Sequence, residues 1–370
     1  MKKMLVALLL CQVIHGSMAQ QKTPLNLVVG TYTTNCESNG VYVYDFNTQT
    51  GELQLKKVSP KLNNPSYITV SEGNDRIYAV GENGTTSTIT ALNYSPKSGE
   101  MNIMNTIAVP ADPCYIINDD DNVISANYSG GSVAVFKKSP DGLSTMVQEI
   151  QHQGKGFNPS RQEAPHVHMV ALSPDKKYLL ATDLGLDKID VYSYNPKAEK
   201  EVLQLKQSFS TELGSGPRHF AFSKSGKLVF VLQELDGKIS TLGFENGTLK
   251  QLGQTTIIAE AGVAEGAAAD IHLSPDGKFI YASNRGNTND ISVFRVLKGG
   301  KLEFVDRIKS GGKGPRNFVI DPTGKFLLVG HQYTNDIVVF KRNTASGKLS
   351  ETKQKVSVCA PVCLVFTPAE

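Results

Sequence analysis

Four short stretches carry side chains capable of acid–base and anion chemistry, three of them beside glycine, proline or asparagine. They are Pro165-His166-Val167-His168, Gly216-Pro217-Arg218-His219, Gln233-Glu234-Leu235 and Ser283-Asn284-Arg285-Gly286. Guanidinium groups present forked donors that suit a carboxylate, a phosphate or a polarised carbonyl. Glutamate and histidine accept or deliver protons near neutral pH when their surroundings tune them. Taken singly, an arginine or histidine at a loop end is usually solvated surface. The chemistry therefore depends on whether the fold makes these residues converge.

An internal repeat supplies the convergence. Asn64-Pro65-Ser66-Tyr67-Ile68-Thr69-Val70-Ser71 matches Gly216-Pro217-Arg218-His219-Phe220-Ala221-Phe222-Ser223 and Gly314-Pro315-Arg316-Asn317-Phe318-Val319-Ile320-Asp321 in pattern. Each is followed by a turn such as Ser-Pro-Asp-Gly-Lys at 274–278, then by a second apolar run such as Phe279-Ile280-Tyr281-Ala282. The turn residues are structural, supplying chain reversal and φ > 0. Seven copies, anchored at Ser71, Asp119, Ser173, Ser223, Ser274, Asp321 and Thr367, recur every 46–54 residues. Repeats of about that length with period-2 apolar runs predict an all-β, seven-bladed propeller of four-stranded blades. The chain opens at Leu27-Val28-Val29-Gly30-Thr31 with a second strand and stops at Pro361–Phe366 with a first strand. One blade shared by the two termini closes the ring and leaves no unpaired edge there.

With strands labelled a to d from the axis outward, antiparallel pairing puts the start of strand a and the end of strand b at one mouth. Strand a begins there with Ser66, Cys114, His168, Arg218, Ala269, Arg316 and Val362. Strand b ends there with Glu82, Asn127, Asp183, Gln233-Glu234, Asn284-Arg285 and His331-Gln332. So many charged groups at one end of one channel predict a ligand site for an anion or a polarised carbonyl.

These residues carry a family resemblance as well. The stretch Asn158–His168, Ala126-Asn127-Tyr128-Ser129-Gly130-Gly131, Gly216-Pro217-Arg218-His219, Gln233-Glu234-Leu235 and Ser283-Asn284-Arg285-Gly286 resemble the propeller lactonases. That family groups bacterial 6-phosphogluconolactonase with the fungal 3-carboxymuconate lactonising enzyme. The resemblance runs from about residue 26 to the C-terminus and implies hydrolysis of a sugar lactone without a metal or organic cofactor. It implies a catalytic set of Glu234, His168 or His166, Arg218 and Arg285. Glu234 is expected as the general base, with its basicity tuned by crowding, and histidine as the acid, roles that can be exchanged. Arg218 and Arg285 are expected to hold the carbonyl oxygen and a substrate anion. Asn127, Arg161, Asp183, His219, Asn284, Arg316, His331 and Gln332 complete the expected substrate-binding set. Placed at a loop mouth, Glu234 and Arg285 are expected to tolerate substitution with little loss of thermal stability. No Gly-x-Ser-x-Gly elbow is present. A central calcium would need several oxygen ligands where arginines stand. Two alternatives stay open: a lactonising enzyme acting on muconate-type dicarboxylates, and a propeller that binds a partner without catalysis.

Lys2-Lys3, the apolar run Met4–Cys11 and Ser17-Met18-Ala19 read as an export signal over residues 1–19, with the propeller domain spanning 20–370. The expected location is periplasmic or extracellular; lipidation at Cys11 is the alternative, against which Leu10 speaks. Loss of Lys2 and Lys3 lowers the formal charge from +3 to +1, which gives no electrostatic footprint for nucleic acid. No apolar run is long enough to span a bilayer. The expected partner is therefore a small-molecule lactone or its hydroxy-acid product. Cys36 and Cys359 fall in loops of the closing blade on one face, within reach of a disulfide. The other reading, four free thiols, is the one slightly preferred on sequence.

Overall fold

The computed structural model describes residues 24–34, 36–259 and 267–370. The export-signal reading of residues 1–19 lies outside them. Seven four-stranded antiparallel sheets form the blades. Their innermost strands are Pro361–Pro368, Ile68–Val70, Pro113–Asn118, Val167–Leu172, Pro217–Phe222, Ala268–Leu273 and Pro315–Ile320, here blades 1 to 7 in that order. In blade 1, Pro361–Pro368 pairs with Leu25–Thr31, and Val41–Phe46 and Leu53–Val58 follow outward. The termini thus share the closing blade, as the repeat register requires.

Seven apolar clusters hold the ring, each shared by two adjacent blades. Between blades 1 and 7, Leu27 and Val29 meet Leu328 and Val339. Between blades 1 and 2, Val28 and Val43 meet Ile77 and Leu92. Alternate residues of one strand b therefore feed opposite neighbours. This explains why strand b reads as an unbroken apolar run, while the outermost strands alternate with solvent-facing residues.

The turns between strands a and b are structural. Ser274 donates from Oγ to Asp276 and accepts the Phe279 N–H, and Gly277 takes φ +75°. Ser173, Asp175 and Tyr178 repeat the arrangement in blade 4.

Cys36 and Cys359 form a disulfide with a Cα separation of 5.9 Å, across 323 residues of chain. The slight preference for four free thiols is thereby corrected; only Cys114 and Cys363, both buried, are free among the described residues. The closing blade brings the two loops to one face, as the blade register places them. In a chain-entropy treatment so long a loop gives stabilisation at the upper end of the usual range, about 2–5 kcal/mol. A Cys36→Ser/Cys359→Ser protein should melt roughly 5 °C lower. Calorimetry with and without reductant checks this, and equal melting temperatures would show that the bridge adds nothing to stability.

Candidate active site

A β-bulge in strand a builds the mouth. In blade 5 Pro217 pairs with Gln233 and His219 with Leu232, so Arg218 is the extra residue. The same offset leaves Cys114, His168, Arg316 and Val362 as extra residues in blades 3, 4, 7 and 1. A bulge re-aims a side chain that regular pleating would bury in the sheet. The preceding proline, or valine in blade 4, is the last residue in register. Blade 6 fits Ala269 and Asp270 into the bulge opposite Ser283.

The end of strand b divides by period 2. Its last residues, among them Asn127, Asp183, Gln233, Asn284 and His331, are at most 4% exposed and point into the blades. The residues that follow, Tyr32, Glu82, Tyr128, Glu234, Arg285 and Gln332, belong to the mouth. Three expected substrate-binding residues are corrected on this ground, because they are fully buried and hydrogen bonded within the protein. Asn127 bonds Ser125 and Ser132. Asp183 accepts from His152 and from the backbone N–H groups of His166 and Leu186, so it holds the loop that carries His166. His331 is fixed between Asp336 and Ser310. Among the described residues, Asn284 is buried with Oδ1 unpartnered, and Gln332, half-buried, also has an open Oε1.

Glu234 is the hub. Arg161 Nη2 lies 2.7 Å and Arg285 Nη2 3.3 Å from its Oε1, and Arg218 Nε lies 2.9 Å from its Oε2. His168 Nε2 is 4.0 Å from Oε2. Burial works to raise the Glu234 carboxyl, but Arg285, Arg218 and Arg161 outweigh it and hold it down at about 2. The arginines therefore make Glu234 a poor base, the reverse of the tuned-up base that sequence suggested. Arg218, itself buried, is pushed down to about 10 by burial and then by the neighbouring Arg285. Arg285 also donates to the carbonyls of Ala267 and Ala268, which fixes its fork.

The two histidines that the sequence could not separate occupy different settings. His168 is buried, with Nδ1 3.6 Å from Cys114 Sγ. Burial and then Arg218 hold its pKa well below the usual histidine value, so the ring is neutral at pH 7. His166 stacks on Tyr128 with centroids 4.3 Å apart, its Nδ1 lies 3.1 Å from the Tyr128 carbonyl, and its Nε2 lies 3.3 Å from Glu163. A ring held at Nδ1 by a carbonyl keeps Nε2 for proton exchange. His219 sits deeper, hydrogen bonded to Arg218 and to Asp270, and belongs to the channel wall rather than the mouth.

Arg316 differs from the other three arginines. Its guanidinium lies over the Tyr32 ring, 5.5 Å from the centroid. Among the described residues it has no ion-pair or hydrogen-bond partner. Nearby, Glu82 accepts from Tyr32 at 2.8 Å and from Ser66 at 2.6 Å. Tyr32, Tyr128 and Asp270 escaped sequence reasoning. The first two follow strand b as Glu234 does, so the period-2 rule would have found them. Asp270 is shifted by its bulge and left no such signal.

The family described as seven-bladed β-propeller lactonase matches residues 26–366. A 6-phosphogluconolactonase of Bacillus subtilis is 35% identical, covering 91% of this chain and 97% of that protein. A 6-phosphogluconolactonase of Formosa agariphila is 34% identical, covering 90% and 96%. The solved structure of a periplasmic gluconolactonase from Pseudomonas aeruginosa superposes with a TM-score of 0.88 at 35% identity, covering 94% of this chain and 100% of that one.

Proposed function

The chain belongs to the seven-bladed β-propeller lactonase family, and on that footing we propose that it hydrolyses an aldonolactone at the mouth built around Glu234. The observation that carries this reading is the arginine cluster. Three guanidinium groups converge on one buried carboxylate while a fourth, Arg316, has no ion-pair or hydrogen-bond partner among the described residues. Positive charge fixed in place before the reaction stabilises an oxyanion without reorganisation. Arg285, partly exposed, is the group we assign to the developing oxyanion, and Arg316 to the carbonyl or an anionic substituent of the sugar.

In this reading water attacks the lactone carbonyl carbon and gives its proton to a histidine. The tetrahedral intermediate then collapses, the bond from the carbonyl carbon to the ring oxygen breaks, and the histidine returns the proton to that oxygen. The product is the open-chain hydroxy acid. His166 suits the proton transfer through Nε2, and the neutral His168 stands behind it beside Glu234. Glu234 serves as the anchor that orders the arginines. An arginine-lined mouth also favours chemistry without a metal, since cations do not ligate cations.

The test is a pH-stat panel of glucono-δ-lactone, its 6-phosphate and a muconate-type dicarboxylate. Hydrolysis of an aldonolactone, unchanged after dialysis against EDTA, is the expected result. Turnover of the dicarboxylate alone would move the protein to the lactonising reaction, and no turnover would leave a binding propeller.

We also propose that the protein is exported. The signal-like pattern of residues 1–19 supports this, and the Pseudomonas relative is named as periplasmic. The mature protein should begin at Gln20 and appear outside the cytoplasm. Mass spectrometry showing acylated Cys11 would establish membrane anchoring through lipid instead.

A further inference from the structure

Asp270 is buried at the channel axis, one residue removed from the position that faces the mouth in other blades. We propose that Asp270 is a positioning residue for the reaction, acting through His219 to aim Arg218 at Glu234. The role rests on the lactonase reading of the mouth.

The chain of contacts has a defined polarity. Arg218 Nη1 can only donate, and it lies 3.2 Å from His219 Nε2, so that nitrogen must accept. The ring proton is then on Nδ1, which donates to Asp270 Oδ1 at 2.8 Å. Arg218 Nη1 also donates to the carbonyl of Ala269, beside Asp270 in the bulge. With Nη1 held at two points, Nε lies 2.9 Å from Glu234 Oε2, an ion-pair contact in which the N–H is not aligned for a hydrogen bond among the described residues. A neutral ring suits this arrangement: burial and then Arg218 push the His219 pKa down to about 4.

The carboxylate is itself immobilised by donors on both oxygens. Oδ1 also accepts the Ile271 N–H at 3.0 Å. Oδ2 accepts from Asn317 at 2.6 Å, from the Phe318 N–H at 3.2 Å and from His272 Nε2 at 3.0 Å. An amide at this position must turn its NH₂ toward one set of donors. Turned toward His219, it selects the other tautomer and sets an Nε2–H against the Arg218 N–H. Turned the other way, it opposes Asn317, whose Oδ1 is already occupied by the Leu364 N–H at 2.7 Å. Only a carboxylate satisfies both sides, the logic by which a buried aspartate fixes an imidazole tautomer.

The first measurement is a long-range ¹H–¹⁵N imidazole spectrum of the wild-type protein, which should show His219 protonated at Nδ1 alone. The second is kinetic. Asp270→Asn should lower kcat roughly 10²-fold with little change in KM, the scale of a misplaced catalytic group. In His219→Gln the amide oxygen takes the place of Nε2 and needs no tautomer. Asp270→Asn in that background should therefore cost no more than about threefold, a residual small beside that loss. Should Asp270→Asn fail to fold, His219→Gln against His219→Ala carries the test, with activity rescued by glutamine and lost in alanine. An Nε2–H tautomer in an active enzyme overturns the role. So does an equal cost of Asp270→Asn in both backgrounds, or equal activity of the two His219 variants. A wild-type protein with no lactonase activity overturns the reading of the mouth and this role with it.

Discussion

Arg285→Ala should lower kcat for lactone hydrolysis by about 10²–10³-fold, the cost of removing one donor from a preorganised oxyanion site. Arg285 is suited to that part by its constraints. Its guanidinium is shared among Glu234 and the carbonyls of Ala267 and Ala268, so its direction is set before substrate arrives. If the contact is made only in the transition state, kcat and kcat/KM fall together and KM barely moves. Arg285→Lys keeps the charge but loses the planar fork, and should recover little of the activity. Initial rates corrected for spontaneous ring opening decide the matter. Wild-type kcat in Arg285→Ala would remove this residue from the chemistry, and a rise in KM alone would make it a ground-state binding group.

Glu234→Gln should destabilise the fold as well as abolish activity. The carboxylate is buried, and Arg218 behind it is more deeply buried still, so the neutral amide leaves a desolvated cation without its counter-charge. Breaking a buried ion pair from one side costs about 3–5 kcal/mol, which in a chain of this size corresponds to a melting temperature lower by roughly 5 °C. This replaces the expectation that a residue at a loop mouth could be changed with little effect on stability. The pH dependence carries the same signature. The folded-state carboxyl is held at about 2, below its ordinary value of 4.5, so its stabilisation is present above pH 4.5 and is lost as pH falls toward 2. Asp270 is lowered in the same direction, with burial opposing and His272 and His219 prevailing, and it adds to the same acid limb. Urea midpoints in the wild type should stay nearly level from pH 7 to pH 5 and fall steeply by pH 3. In Glu234→Gln the pH 7 value should be lower and the acid slope shallower. An unchanged midpoint at pH 7 would mean that the arginines find other partners.

The ring itself was legible because a propeller writes its geometry locally. Most blades repeat a proline at the start of strand a, alternating apolar runs and a related turn, and seven similar copies at near-constant spacing exclude other all-β arrangements. The shared closing blade follows from the register of the two ends. The mouth was legible in the same way: Glu234, Arg218, Arg285 and His168 stand at equivalent places in their blades, and the structure brings them to one carboxylate. What sequence could not resolve is a single-residue question. Across the bulge in strand a and the end of strand b, neighbouring residues face opposite directions. That is why Asn127, Asp183 and His331 were counted at the mouth although their hydrogen bonds are spent inside the blades, and why Tyr32 and Tyr128 beside them were passed over. Electrostatics were hidden for a related reason. The basicity of Glu234 depends on three arginines, from a loop of blade 4 and from blades 5 and 6, arriving within about 3 Å of it, and burial alone would have pushed it the other way. Local sequence determined which stretches of chain reach the channel end; only the closed ring decided which side chains and atoms meet there, and therefore which of them carry charge.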